Sequence, residues 1–112
     1  MRARHRLALL TLLIVAPTAA WGQKLPAEAE AGRALAERRC ASCHSIAPGE
    51  PTPPGVQAPS FQTIADAEGA TPRAIYDWLH QPPEGMAYVR LQGREAQDLV
   101  AYIQSLRRDT GR

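Results

Sequence analysis

The 112-residue chain is short of most things that build a large core. It has one Phe, three Tyr and two Trp, only two cysteines and only two methionines. Two cysteines exclude a disulfide-dense scaffold. No run of β-branched or aromatic residues alternates long enough to argue for a strand, which speaks against a sheet-based domain. There is no internal repeat. Charge of neither sign dominates, at a formal +2, and the bases are scattered, with Arg38-Arg39 and Arg107-Arg108 as the only adjacent pairs. A basic nucleic-acid-binding face is therefore not indicated. The longest apolar stretch, Leu7 to Ala16, is too short to cross a bilayer.

That stretch has another reading. Arg2, Arg4, His5 and Arg6 precede it as a basic segment, and Ala20-Trp21-Gly22 follows with small residues at the outer positions. This is the layout of a secretory signal peptide over residues 1–22, with cleavage before Gln23. An uncleaved N-terminal anchor is the alternative. Removing Arg2, Arg4 and Arg6 leaves ten bases against eleven acids, so the exported domain, residues 23–112, carries a formal −1. The basic character belongs to the leader.

Ninety residues with one Phe and one remaining Trp make a thin core, and domains this small often need a staple. A disulfide between Cys40 and Cys43 would close a very short loop and add little. A bound apolar group would add more.

The remaining pattern is helical. AEAEAGRALAERR, Ala27 to Arg39, is rich in helix formers, with Gly32, Leu35, Ala36 and Cys40 falling on one face. Gly32 costs about 1 kcal/mol against Ala in a helix; it is either tolerated or required by the close approach of another helix. A breaker-rich loop, APGEPTPPGVQAP, follows Ile46. Ser60 to Ala65 suits a turn or two of helix. Thr71 as N-cap and Pro72 at the first position begin a helix to His80, with Ile75, Trp78 and Leu79 on one face. A second loop, Gln81 to Leu91, contains Met86. From Gly93 to about Arg108, apolar residues Ala96, Leu99, Val100, Ile103 and Leu106 recur at helical spacing, with Gln92 or Gly93 left to cap the helix. The fold class is all-α: three to five short helices and long loops. Loops this long need something to lie on.

The first helix ends in Cys40-Ala41-Ser42-Cys43-His44, a C-x-x-C-H motif. This spacing is that of covalent haem attachment. Two thiols separated by one short turn can each bond a vinyl group of the same haem, and the adjacent imidazole is held beneath the iron. A thioredoxin-like redox pair would need a βαβ pattern around it, and none is present. A zinc site would need a further pair of ligands. The far side of the iron has two candidates. Met86 is the only methionine besides Met1, and a thioether opposite a His raises the reduction potential. His80, at a helix end, would give a bis-His site. If neither binds, the open iron would suit a peroxidase-like or gas-sensing protein.

The order of helix, CASCH, proline-rich loop, helix, Met loop and closing helix REAQDLVAYIQSLR resembles the small class I c-type cytochromes of the bacterial periplasm. The resemblance spans nearly all of residues 23–112. It implies one haem c, covalent through Cys40 and Cys43, with His44 and Met86 as iron ligands. It also implies that Pro59, in APSF, gives its carbonyl to the His44 ring, that Gly32 meets Tyr102 where the terminal helices cross, and that Trp78 is the aromatic near the haem edge. Ala87 and Ala36 depart from the family, which often has Pro and an aromatic there. The implied function is single-electron transfer without catalysis. The chain would be either a free carrier or the haem c subunit of a periplasmic oxidoreductase. Its partners would be a donor dehydrogenase or cytochrome complex and an acceptor oxidase or reductase. Membrane contact would come only through such complexes or an uncleaved leader.

Overall fold

The computed structural model describes residues 25–108. The leader expected at 1–22 and its cleavage point lie outside the described residues. Helix α1 is Ala27–Arg39, α2 Phe61–Asp66, α3 Pro72–His80 and α4 Gly93–Ser105, with a 3-10 helix at Glu84–Val89. No strand occurs among the described residues. No helix among them is long and apolar enough to cross a membrane.

Local chemistry sets most of these boundaries. Glu28 and Glu30 lie in the first turn of α1, and Arg38 and Arg39 in its last, each complementing the helix dipole. Thr71 caps α3 as expected, its hydroxyl accepting from the Ala74 amide at 3.1 Å, with Pro72 following. Ser60 caps α2 in the same way through the Thr63 amide at 3.0 Å. Gln92 supplies no side-chain cap to α4. Instead the Tyr76 hydroxyl accepts from the Gly93 amide at 3.2 Å, so α3 caps α4 from a distance. Gly93 itself has φ +61°, a conformation that favours glycine.

Helix α4 ends at Ser105, short of Arg108. Its last turn tightens into i→i+3 bonds, with the Leu106 and Arg107 amides donating to Ile103 and Gln104 at 3.1 Å each. The tail then ties back to the middle of the chain. Gln62 donates to the Leu106 carbonyl at 2.6 Å, and Arg108 meets Asp66 through its amide at 2.9 Å and its guanidinium at 2.6 Å. Arg107 leans toward the Ala70 carbonyl, which also accepts from Gln104 at 2.8 Å.

The main packing contact is α1 across α4. At the crossing, a Cβ on Gly32 would overlap the Asp98 carbonyl and come within 2.8 Å of Tyr102 Cβ. Glycine is therefore required here, because the obstacle is backbone. Buried Leu35 and Ala36 from α1 join Leu99, Tyr102 and Ile103 from α4, with Phe61, Ile75 and Leu79 completing the core.

Two outcomes test these contacts. Gly32→Ala should destabilise the protein by about 1–3 kcal/mol from overpacking, although the same change stabilises an isolated helix; denaturant titration gives the sign. Hydrogen bonds from Arg108 hold the Asp66 carboxyl below its ordinary 3.8, so its stabilisation is present above that value and lost as pH falls through the lowered one. Asp66→Asn should lower the melting temperature near neutral pH, and its deficit against wild type should shrink below about pH 4.

Candidate haem site

The Cys40–His44 turn closes on itself. The Cys43 and His44 amides both donate to the Cys40 carbonyl, at 3.1 and 2.8 Å. Cys40 and His44 are buried, and Cys43 is half-buried. Burial pushes the Cys40 thiol above its ordinary value, with Arg39 only partly opposing. Disulfide oxidoreductases shift their reactive cysteine the other way, so the turn does not favour that reading even before haem is attached.

The His44 ring is fixed from two sides. Its Nδ1 lies 2.6 Å from the Pro59 carbonyl, as the resemblance implied. A carbonyl can only accept, so Nδ1 carries the proton and Nε2 keeps its lone pair for a metal. Phe61 packs against the ring at 5.5 Å between centroids, and Tyr102 stands 6.3 Å beyond Phe61. Tyr102 donates its hydroxyl to the Ile46 carbonyl at 2.7 Å. Burial pushes this phenol up, so it remains a donor.

Just beyond His44 the segment expected as loop makes a defined turn. Ala47-Pro48-Gly49-Glu50 has Pro second, Gly third at φ +78°, and the Glu50 amide donating to the Ala47 carbonyl at 3.3 Å. This is the pattern of a type II turn. The Glu50 carboxylate accepts from the Ile46 and Ala47 amides at 3.1 Å each, and the Glu50 carbonyl accepts from the Ser45 hydroxyl at 2.9 Å. The Pro-Gly pair was the available signal for the turn.

Beside the motif lies an open cleft with two connected compartments of about 330 and 490 Å³. Cys40, His44, Pro59 and Met86 line both. The smaller compartment adds Arg39, Cys43 and Tyr88, while the larger adds Phe61, Trp78 and Leu99 among other apolar walls. Met86 comes from the 3-10 helix, where its amide donates to the Pro83 carbonyl at 2.8 Å. The expected loop 81–91 thus contains a helical turn, started after Pro82-Pro83. His80 is exposed, stacks on Tyr76 at 6.4 Å and lines neither compartment. The geometry brings Cys40, Cys43, His44, Pro59 and Met86 to one cavity and leaves His80 outside it. Trp78 is 46% exposed and lines the same cleft.

A family model described as Cytochrome c matches residues 29–107. The chain belongs to the cytochrome c family. Among curated proteins, Cytochrome c-552 of Bradyrhizobium diazoefficiens is 35% identical over 95 residues, spanning 85% of this chain and 90% of that protein. No solved structure matches significantly. Membership makes the chain a c-type haem electron carrier of all-α cytochrome c fold, with one covalent haem c and Cys40 and Cys43 as its thiols. The residues present fit that group: two thiols and an imidazole on one turn, with apolar walls around a cleft that also presents a thioether.

Replacing Cys40 and Cys43 together by Ala should abolish covalent haem. Haem staining of the exported protein on a denaturing gel checks this; a stained band in the double variant would refute attachment at these thiols.

Proposed function

We propose that residues 23–112 act as a periplasmic single-electron carrier with His44 and Met86 as the two axial ligands. The observation that carries the ligand assignment is the shared cavity. His44 and Met86 both line the cleft beside Cys40 and Cys43, whereas His80 lines neither compartment. The haem iron supplies the one-electron couple.

Each residue has a distinct task in this reading. Cys40 and Cys43 anchor the ring. The Pro59 carbonyl fixes the His44 tautomer, which orients the ligand and strengthens it as a base. Met86 offers a soft, neutral sulfur, which with His favours the reduced state and a raised potential. Phe61, Ile64, Ile75, Leu79, Leu99 and Ile103 exclude water from the larger compartment. With His44 and Met86 both holding the iron, no position would be left for a substrate, and the chain would serve as a carrier rather than an enzyme. Tyr88, 74% exposed, lines the smaller compartment, and electrons would pass between redox proteins at an exposed haem edge. Donor dehydrogenases or cytochrome complexes and acceptor oxidases or reductases are the fitting partners.

Met86→Ala should remove the thioether signature from the ferric spectrum, lower the reduction potential and allow the ferrous protein to bind carbon monoxide. His80→Ala should do none of these. Optical spectroscopy with a redox titration of all three proteins makes the test. An unchanged Met86→Ala spectrum would pass the assignment to His80, and rapid carbon monoxide binding by wild type would favour a ligand-sensing haem protein.

A further inference from the structure

The chain segment after His44 is held more completely than an ordinary loop. The Ser45 carbonyl accepts from the Phe61 amide at 2.9 Å. The Ile46 amide and carbonyl are taken by Glu50 and Tyr102, and the Ala47 amide by Glu50 again. Ser45 and Ile46 are buried at 4% exposure each, so their own backbone groups have little water to turn to, while Ala47 is half-buried. Removing a partner would leave a costly orphan. Of the three residues that hold this segment, Phe61 and Tyr102 also pack in the core. Glu50 does not: it is exposed and no core contact explains its side chain.

We propose that Glu50 is a positioning residue for His44, its carboxylate clamping the Ile46 and Ala47 amides so that the main chain cannot rotate the imidazole away from the Pro59 carbonyl. The inference rests on the reading of His44 as an iron ligand. Its physical content is a lever of two peptide units. His44 is joined to Ile46 through Ser45, so the main chain after the histidine sets its ring angle together with the Pro59 bond and the Phe61 contact. The Pro59 bond fixes one end, and the Glu50 clamp fixes the other. The Pro48-Gly49 turn brings Glu50 back to the place where both amides point, because Gly49 adopts a left-handed φ without strain. The clamp works through acceptance of two hydrogen bonds, so a neutral acceptor of the same shape should substitute.

The test uses the haem-loaded protein with Glu50→Ala, Glu50→Gln and Gly49→Ala. Proton NMR of the ferric form reads the hyperfine-shifted His44 ring signals, and the exchange rate of the His44 Nδ1 proton reads the Pro59 bond. Glu50→Ala should shift the ring signals, accelerate Nδ1 exchange at least tenfold and move the midpoint potential. Glu50→Gln should return all three toward wild type. Gly49→Ala, which strains the turn without touching the carboxylate, should shift the ring signals in the direction of Glu50→Ala. Arg73→Ala, which removes the exposed Arg73–Asp77 pair within α3, should leave the His44 signals in place. Ring signals and exchange in Glu50→Ala that coincide with wild type would overturn the proposal, as would an equal effect from Arg73→Ala. If Glu50→Ala fails to retain haem, Gly49→Ala and Glu50→Gln decide the matter by the same signals. A wild-type spectrum without a His44 ring signature would instead refute the ligand reading itself, before any variant is compared.

Discussion

The contact on which the structure depends is the crossing of α1 and α4 at Gly32. Two helix backbones meet there with no side chain between them, Gly32 lying against the Asp98 carbonyl and Tyr102. That proximity fixes where α1 ends, and the Cys40–His44 turn begins at that end. It also fixes the register of α4, which sends Tyr102 to the Ile46 carbonyl and Leu99 and Ile103 into the cleft wall. One small residue thus places the Cys40–His44 turn and the α4 wall of the cleft relative to each other. Ala36 is fully buried in this core. A small side chain four residues from the glycine keeps the same helix face low.

From the crossing, order passes to the imidazole by short steps. Tyr102 is wedged by the helices, its ring packs on Phe61, and Phe61 packs on His44. The Phe61 amide holds the Ser45 carbonyl, so the same residue braces the imidazole through its ring and its backbone. Ser60 caps the short helix α2 that presents Phe61. A helix of six residues has little stability of its own. It persists because Gln62 and Asp66 tie it to the end of α4. Precision at one buried ring therefore draws on contacts from almost every element.

The parts of this legible in the sequence were those carried by local pattern. Helix α1 and helix α3 have the limits that composition and the Thr71-Pro72 signal predict. The C-x-x-C-H turn and the family order of elements pointed to Cys40, Cys43, His44 and Met86, which the fold brings to one cleft. The Pro59 contact came from family likeness, since nothing local ties Pro59 to a histidine fifteen residues earlier. What stayed hidden was long-range or aperiodic. No periodicity predicts that Tyr76 caps α4, that Gln62 meets Leu106, or that Glu50 folds back on Ile46. The 3-10 turn around Met86 was hidden for a similar reason: six residues after two prolines offer no repeat long enough to read.

That 3-10 turn bears on how Met86 could act as the proposed ligand with no proline after it. A proline there would stiffen the chain by fixing φ. Here Ala87 occupies that place, and the stiffness comes from the other side. Pro82 and Pro83 restrict the approach, the Pro83 carbonyl accepts the Met86 amide, and buried Val89 and Leu91 anchor the exit. The Leu91 amide donates to the Leu79 carbonyl at 2.9 Å, which closes the segment onto the end of α3. Both ends of the Met86 segment are therefore tied to the same helix that carries Trp78 into the cleft. The rigidity needed by a sulfur ligand can come from closing the loop at its base as well as from the residue beside the sulfur.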